Sequence, residues 1–285
     1  MKNPTPITIL LPVYNEASGL EEVLKKLINF VRDQFLTYEI IMVDDGSIDE
    51  SVLIAKKFPE VKLIQNPKNR GYGYALKKGF YAATNDCVIT IDADGTYPIE
   101  KISDLINEFN NGFDLVIGAR TGINYNKTIF RTILRKIFRT LVFYITGEKI
   151  SDPNSGLRVF RKSSLSSHID SFCNGYSFST TSTVILILNG YHVTTLPIDY
   201  YFRMGKSKVK LCRDALRTLQ ILISCFLNYN PIKVFLPLFF LWFVLGALSL
   251  FLNTLIGVLL ISFSFLFLGF GFLADILINL SKNHK

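Results

Sequence analysis

Short apolar runs alternate with segments of helical periodicity through the first half of the chain. The runs 7–11, 39–43 and 88–91 have the composition of buried strands, and another strand is expected to end at Gln65. Between the first two runs, apolar residues recur three and four positions apart, which indicates an amphipathic helix with an acidic first turn. The alternation predicts an α/β fold with a largely parallel sheet.

Polar residues follow the predicted strands. Pro12 is expected to end the first strand, and Asp44 and Asp45 follow the second. A polar, glycine-containing loop at 66–76 follows the third. Open α/β sheets bind ligands at the carboxyl ends of their strands, so these junctions together predict a nucleotide site.

The run at 88–91 ends in Asp92 and Asp94, which point to the same side if the chain is extended there. Two such carboxylates repel each other unless a cation lies between them, and oxygen ligands suit Mg²⁺ or Mn²⁺. Taken alone, such a pair is more often an acidic turn after a strand than a metal site. The neighbouring junctions favour the metal site.

A run of 41 residues, 234–274, contains no Lys, Arg, Asp, Glu or His. Since one bilayer crossing takes about 20 apolar residues, the run predicts two membrane helices, about 232–252 and 255–278. Asn253 and Thr254 are the expected hairpin tip. The alternative, a core helical hairpin of a soluble protein, is disfavoured by so long a run without charge.

Charge is distributed unevenly along the chain. Residues 1–119 hold 12 Lys and Arg against 17 Asp and Glu, whereas 120–162 hold ten against two and 203–217 hold six against one. With Lys282 and Lys285 after the second helix, the positive-inside rule places both termini and the globular part in the cytoplasm. Anionic lipid is the expected partner of the basic blocks, and nucleic acid is the disfavoured alternative.

Two segments are predicted to lie at the membrane surface. Residues 126–147 place apolar side chains at three- and four-residue spacing, with basic side chains largely on another face. An ordinary surface helix packed on the core is the alternative. Residues 211–229 predict a second such helix, so the globular domain is expected to span 1–230 and the membrane hairpin with its basic tail 231–285.

Cysteine and histidine give no sign of further chemistry. The four cysteines lack CxxC spacing and are expected to be free thiols in a reducing compartment. The three histidines are scattered, so neither a zinc site nor a histidine-based triad is predicted.

A series of motifs within 5–230 resembles the family 2 glycosyltransferases. The motifs are YNE (14–16), DDGS (44–47), DADG (92–95), GAR (118–120), DPNSGLRVFRK (152–162) and RMGKSK (203–208). Within the family, the chain resembles the dolichol-phosphate mannosyltransferase and bacterial polyprenyl-phosphate glycosyltransferase group. The resemblance implies a GT-A, Rossmann-like fold, a nucleotide-sugar donor, Mg²⁺ or Mn²⁺, and a polyprenyl or dolichyl phosphate acceptor.

The resemblance also implies site residues, and their roles fall into four sets. The residues that would hold the nucleoside are Pro12, Tyr14, Glu16, Asp44 and Asp45. The residues expected in catalysis are the metal ligands Asp92 and Asp94, with Arg203 and Asp152. Beside Arg203, Lys208 would neutralise the donor diphosphate. The residues that would bind the acceptor phosphate are Arg120, Arg131 and Arg135. Asp152 would bind a sugar hydroxyl, or else act as a helix cap or turn residue.

The chain departs from the family pattern in two places. Thr96 stands where the mannosyltransferases can have a Gln ligand, and the stretch GYSFSTTST (175–183) offers hydroxyls where many relatives have an acidic residue. The QxxRW motif of processive polysaccharide synthases is absent, because the only tryptophan, Trp242, lies in the charge-free run.

The predicted reaction is an inverting transfer of a hexose from a nucleotide sugar, of the GDP-mannose or UDP-glucose type, to a membrane polyprenyl phosphate. Three alternatives remain: another lipid or glycan acceptor, a non-catalytic scaffold on the same fold, and a small transporter or channel subunit. Spans with almost no polar side chains count against transport. A second copy of the chain is a possible further partner of the hairpin.

Overall fold

The computed structural model describes residues 2–122, 129–202 and 226–283, together with 219–220 and 223–224. By contacts, the chain divides into two units, Met1–Ala215 and Leu216–Lys285. The helices and strands are numbered below in chain order among the described residues.

The first unit contains a seven-stranded sheet in the order β3-β2-β1-β4-β6-β5-β7. Its strands are β1 (Ile7–Val13), β2 (Tyr38–Asp44), β3 (Val61–Gln65), β4 (Cys87–Thr90), β5 (Leu115–Thr121), β6 (Arg158–Arg161) and β7 (Val193–Asp199). β6 runs antiparallel to β4 and β5, and the other pairings are parallel. The predicted α/β fold with a largely parallel sheet is confirmed.

Seven α-helices of this unit lie in the described part of the chain. They are α1 (Ala17–Gln34), α2 (Ser51–Ala55), α3 (Tyr72–Ala82), α4 (Ile102–Asn110), α5 (Ile129–Thr146), α6 (Lys162–Leu165) and α7 (Phe178–Leu188). α1 buries Leu20, Leu24, Leu27 and Val31 at helical spacing, as the sequence pattern predicted. Burial of this apolar stripe stabilises α1, and Asp49 rather than the N-cap residue Glu16 accepts the N–H of Ala17 at 3.0 Å.

The prediction that Pro12 ends the first strand is wrong, because β1 continues to Val13. The carbonyl of Leu10 accepts the N–H of Ile91, so the backbone of Leu10 faces β4. Pro12, two residues on, faces the same side at a level where β4 has already ended. A missing N–H breaks no ladder hydrogen bond there, so proline is tolerated inside the strand.

The second unit contains a pair of long apolar helices, α8 (Ile232–Ser249) and α9 (Thr254–Asn283). Their membrane-length segments are 6% and 17% buried, which is unlike the core helix of a soluble protein. Asn253 accepts the N–H of Ile256 and so caps α9 at the expected hairpin tip. A Cβ added to Gly246 would lie 2.8 Å from the backbone nitrogen of Ile261, so glycine permits close approach of the two helices.

The two predicted surface helices differ in how far the structure describes them. α5 begins at Ile129 and ends at Thr146, within the predicted 126–147. In the predicted 211–229 segment, the described residues 219–220, 223–224 and 226–229 are helical, and the others lie outside the described residues.

Candidate active site

The carboxyl ends of β1, β2 and β4 lie side by side, because β1 is hydrogen-bonded to both other strands. This edge carries Pro12, Tyr14, Glu16 and Asp44, the side chains predicted to hold the nucleoside. Asp44 is only 2% exposed and accepts hydrogen bonds from the N–H of Ser47, at 3.3 and 3.2 Å. The bond closes a tight turn after β2 and fixes the carboxylate at the edge.

The loops after β1 and β2 are joined by side-chain hydrogen bonds. The N–H of Asn15 donates to the Ser47 hydroxyl at 2.9 Å, and the Asn15 carbonyl oxygen accepts the N–H of Ile48 at 2.8 Å. The N–H of Glu16 donates to the Ser51 hydroxyl at 3.0 Å. Asn15 has a φ of 52°, a left-handed conformation that asparagine tolerates better than most residues. Motif spacing did not reveal this pairing, since its partners lie more than 30 positions apart in sequence.

Asp45 holds the loop that precedes α3. Its carboxylate accepts the side-chain amide of Asn66 at 2.8 Å, the N–H of Arg70 at 3.0 and 3.1 Å, and the N–H of Gly71 at 2.7 Å. The side chain is 3% exposed. The carboxylate of Asp45, a predicted nucleoside ligand, is therefore occupied by hydrogen bonds from the protein itself. Its bond from Gly71 fixes the position at which α3 begins.

Asp92 and Asp94 lie just after β4, separated from its last residue, Thr90, by Ile91. Oδ1 of Asp94 accepts the N–H of Thr96 at 3.1 Å and its hydroxyl at 2.6 Å. Thr96, at the position of the expected Gln, thus orients the neighbouring carboxylate. Oδ1 of Asp92 accepts the hydroxyl of Tyr72 at 2.9 Å. Burial, followed by the negative charge of Asp92, raises the pKa of Tyr72 well above its usual value, so the phenol is the donor.

The donor set at this edge fits a hard divalent cation. Asp92 and Asp94 supply only oxygen ligands. Among the described residues no group of three or more His, Cys, Asp or Glu side chains could hold a metal, so a cation here would need ligands besides these two carboxylates. Mg²⁺ is commonly held by one or two carboxylates, with waters and substrate phosphates completing its shell. A pair of carboxylates at the rim of a nucleotide edge matches that pattern.

Asp152 and Arg120, which the resemblance placed in different roles, form one ion pair. The Asp152 carboxylate accepts Nε of Arg120 at 2.6 Å, its Nη2 at 3.0 Å and its backbone N–H at 3.2 Å. Burial raises the pKa of Asp152, but the charge and hydrogen bonds of Arg120 outweigh burial and hold that pKa below its usual value. A ligand of Arg120 therefore shares the guanidinium with Asp152.

The 152–156 loop connects this ion pair to Asp92. A Cβ added to Gly156 would lie 2.5 Å from Oδ2 of Asp92, so glycine lets the loop backbone approach the carboxylate. The N–H of Gly156 donates to the hydroxyl of Tyr97 at 2.7 Å. The loop thus contacts Asp92 at one end and Arg120 at the other, through Asp152.

A cavity of about 450 Å³ opens beside the ion pair. Its lining includes Arg120 from β5 and Arg135 and Arg139 from α5. Arg139 was not among the predicted acceptor ligands, although its spacing of four from Arg135 places the two on one helix face. Three guanidinium groups around one cavity provide the planar, charge-assisted donors that phosphate oxygens accept.

Arg158 is a buried cation that motif reasoning did not single out. It is 1% exposed, and its guanidinium donates to the carbonyls of Ser155 at 2.7 Å and Pro153 at 2.5 Å and to the Thr183 hydroxyl at 2.8 Å. Burial lowers the pKa of Arg158 to about 10, which leaves it charged near neutral pH. The hydroxyls of GYSFSTTST therefore accept hydrogen bonds from this guanidinium and leave its positive charge in place.

Three predicted site residues are not placed. Arg203 and Lys208 lie outside the described residues, and so does the side chain of Arg131, whose backbone belongs to α5.

Known proteins resemble this chain in sequence. The chain is 29% identical over 235 residues to the undecaprenyl-phosphate 4-deoxy-4-formamido-L-arabinose transferase of Klebsiella pneumoniae, covering 80% of this chain and 69% of the relative. The protein of the same name from Salmonella typhimurium is 29% identical over 234 residues, again covering 80% and 69%.

Solved structures share the fold. The glucosyl-3-phosphoglycerate synthase of Mycobacterium tuberculosis, in complex with Mn²⁺, UDP and glucosyl-3-phosphoglycerate, aligns with a TM-score of 0.62 at 19% identity, covering 78% of this chain and 80% of that one. Its complex with Mg²⁺ and UDP aligns with a TM-score of 0.61 at 19% identity, covering 78% and 79%. At this identity the likeness is evidence of the fold alone.

The profile of the family described as glycosyl transferase family 2 matches residues 8–169. The match takes in the carboxylate edge, the ion pair of Arg120 and Asp152 and the loop between them. It covers more than half of the 285 residues, so the chain belongs to glycosyl transferase family 2 and is a glycosyltransferase, as its motifs predicted.

Proposed function

We propose that the protein transfers a sugar from a nucleotide-sugar donor to a membrane polyprenyl or dolichyl phosphate, with inversion at the anomeric carbon. The proposed sugar is a hexose, from a donor of the GDP-mannose or UDP-glucose type. The names of the two relatives support a lipid-phosphate acceptor, since both names include the words undecaprenyl-phosphate.

One observation carries the proposal: the 152–156 loop joins a carboxylate edge to an arginine-lined cavity. Gly156 packs against Asp92, and Asp152 binds Arg120, which lines the cavity. A loop of five residues spans at most about 18 Å, so two anionic groups bound at its ends would lie within reach of each other. A transferase that moves a sugar from a nucleoside diphosphate to an acceptor phosphate, and releases the diphosphate, needs these two anions close together.

The donor side is assigned to the edge of β1, β2 and β4. Asp44, with the cross-linked loops around Asn15 and Ser47, would hold the nucleoside, and Asp92 and Asp94 would hold Mg²⁺ or Mn²⁺. When bound, such a cation stabilises the negative charge of the departing diphosphate. Arg203 and Lys208 are proposed to add positive charge there.

The acceptor side is assigned to the arginine cavity. A phosphate monoester is largely ionised near neutral pH, since its second pKa is about 6. Its oxygen can therefore attack the anomeric carbon with little help from a base, and the main task is to hold two anions together. Arg120 and Arg135, with Arg139 and Arg131 from the same helix, would bind that phosphate.

Membrane attachment is part of the proposal. α8 and α9 are long and apolar enough to cross a bilayer. On α5, Ile133, Ile137 and Phe143 are exposed beside basic residues, as in a helix that lies at a lipid surface. The basic residues lie outside the hairpin tip. By the positive-inside rule, this distribution supports a cytoplasmic catalytic unit and cytoplasmic termini.

The test uses the full chain, purified in detergent, with labelled UDP- and GDP-sugars and undecaprenyl or dolichyl phosphate. Mass spectrometry should detect a lipid-linked monosaccharide in the presence of Mg²⁺ or Mn²⁺. The donor panel should include a nucleotide of 4-deoxy-4-formamido-L-arabinose, given the names of the relatives. A membrane scaffold would bind without turnover, and another acceptor would leave the lipid phosphate unchanged.

The matched variants are Asp92→Asn with Asp94→Asn, and Asp33→Asn as the control. The double variant should lose transfer and change little in its thermal unfolding temperature, because asparagine keeps an oxygen that can accept the bonds from Tyr72 and Thr96 while the two repelling charges are removed. Asp33 is an exposed carboxylate on α1, and its variant should behave as wild type. Normal turnover by the double variant would show that the metal assignment is wrong.

A further inference from the structure

Tyr72, the first residue of α3, contacts a carboxylate assigned to the metal. Its hydroxyl donates to Oδ1 of Asp92 at 2.9 Å, across 20 positions of sequence. In metal sites, hydrogen bonds to a liganding carboxylate fix its orientation, and their removal typically costs 10–100-fold in metal affinity or activity. Tyr72 is thus in the place of such a partner.

The position of Tyr72 is fixed from both sides of its chain. Gly71 donates its N–H to Asp45 at 2.7 Å, which ties the start of α3 to the end of β2. A Cβ added to Gly73 would lie 2.1 Å from the carbonyl oxygen of Cys173 and 2.9 Å from Cβ of Phe178. The first turn of α3 is therefore pressed against the segment that precedes α7, and Tyr72 has little freedom to move.

That segment also supplies an aromatic partner. The ring of Tyr176 stacks on Tyr72 with centroids 5.9 Å apart and planes inclined by 22°. Tyr176 is 44% exposed, and its stack shields one face of the Tyr72 ring from water. Covering a hydrogen bond from water strengthens it, because the local dielectric is lower.

We infer that Tyr72 is a positioning residue for the metal carboxylate Asp92, acting through its hydroxyl, and that Tyr176 supports it through its ring alone. The inference rests on the proposed metal site of Asp92 and Asp94. It assigns different chemistry to the two tyrosines: position 72 requires the O–H group, whereas position 176 requires only an aromatic face. Substitution by phenylalanine separates these roles.

Metal binding is measured directly, without turnover. The full chain in detergent is titrated with Mn²⁺ in the presence of UDP, and separately of GDP, and free Mn²⁺ is followed by electron paramagnetic resonance. Tyr72→Phe should raise the Mn²⁺ dissociation constant by about ten-fold or more. The ring is retained, so the unfolding temperature should change little.

The control is Tyr81→Phe on the same helix. Tyr81 donates its hydroxyl to Oδ1 of Asp170 at 2.7 Å, so this variant also removes a bond between a tyrosine and an aspartate. Tyr81 is 61% exposed and lies nine positions beyond Tyr72 on α3. Its variant should bind Mn²⁺ as wild type does.

The second pair of variants tests the stack. Tyr176→Phe should bind Mn²⁺ as wild type, whereas Tyr176→Ala should weaken binding from a few-fold to about ten-fold, the range of an aromatic pair. In Tyr72→Phe the bond that Tyr176 covers is already absent. Adding Tyr176→Ala to Tyr72→Phe should therefore have a smaller effect than in wild type.

The outcomes separate this inference from the proposed function. If wild type takes up no Mn²⁺ with either nucleotide, the metal site of the proposed function is wrong and the role of Tyr72 falls with it. If wild type binds Mn²⁺ and Tyr72→Phe titrates identically, only the role of Tyr72 is wrong. A loss in Tyr81→Phe equal to that in Tyr72→Phe would likewise overturn it, since the effect would then be general to α3.

Discussion

Gly156 is the point at which the 152–156 loop meets the proposed metal site, and its replacement by alanine tests that contact. The added Cβ would lie 2.5 Å from Oδ2 of Asp92 and 2.8 Å from its Cγ and Oδ1. An ordinary contact begins at 3.4 Å, so the carboxylate or the loop must move by about 0.9 Å. A misplacement of about 1 Å can cost on the order of 100-fold in rate, or roughly 2.7 kcal/mol.

We therefore expect Gly156→Ala to reduce kcat by about 100-fold and to weaken Mn²⁺ binding, with a smaller effect on thermal unfolding. The control is Gly175→Ala, whose added Cβ would meet only Sγ of Cys173 at 3.8 Å. Steady-state transfer assays with a Mn²⁺ titration measure both quantities. If Gly156→Ala matches Gly175→Ala in rate and in metal affinity, the loop does not set the position of Asp92.

Three further predictions concern the acceptor cavity, the ion pair and the buried cation. Arg135→Ala should raise the KM for polyprenyl phosphate by ten-fold or more, the loss expected for a charge-assisted contact of about 1.5–3 kcal/mol, whereas Lys136→Ala should not; transfer assays over a lipid-phosphate series decide this. Because the folded pKa of Asp152 lies below 3.8, its ion pair stabilises the fold above about pH 4 and loses that effect as pH falls through the folded pKa. The difference in unfolding temperature between wild type and Asp152→Asn should therefore be constant from pH 8 to about pH 4 and shrink below it; a difference that shrinks at higher pH would contradict this sign. Thr183→Val should cost about 1–3 kcal/mol in thermal unfolding, because it removes the 2.8 Å acceptor of buried Arg158 Nη1 and leaves that nitrogen only the longer contact with the Ser182 hydroxyl at 3.4 Å, while Thr183→Ser should not.

The sequence predicted the features that repeat locally. Apolar runs located β1 to β4 but not β5 to β7, helical spacing located α1 and α5, and the charge-free run located the apolar hairpin, because each of these signals lies within one element. Pro12 was misassigned because its tolerance depends on where a neighbouring strand ends, and that neighbour lies about 75 positions away in sequence. Pairing between strands is not visible in local pattern.

Most contacts within the site were beyond prediction for the same reason. Motif spacing named Arg120 and Asp152 but placed them with different ligands, because side-chain pairing across 32 positions leaves no periodic signal. Tyr72 and Arg158 carry no motif that marks them as partners of a carboxylate or as buried cations. Arg139 is the exception, since its helical spacing from Arg135 was a signal that could have been used.

The charges around the 152–156 loop predict how donor binding depends on the metal. Asp92, Asp94 and Asp152 are negative and Arg120 and Arg158 are positive, so these five groups carry one net negative charge. A divalent cation reverses that sign, and unit charges a few ångströms apart near a protein surface interact by roughly 4 kcal/mol. A nucleoside diphosphate should therefore bind at least ten-fold more weakly, by calorimetry, in EDTA than in Mn²⁺, and Asp94→Asn should narrow that difference. Equal dissociation constants for UDP or GDP in EDTA and in Mn²⁺ would show that the carboxylates do not repel the donor. The assignment of negative charge to the donor end of the loop and positive charge to the acceptor end would then be wrong.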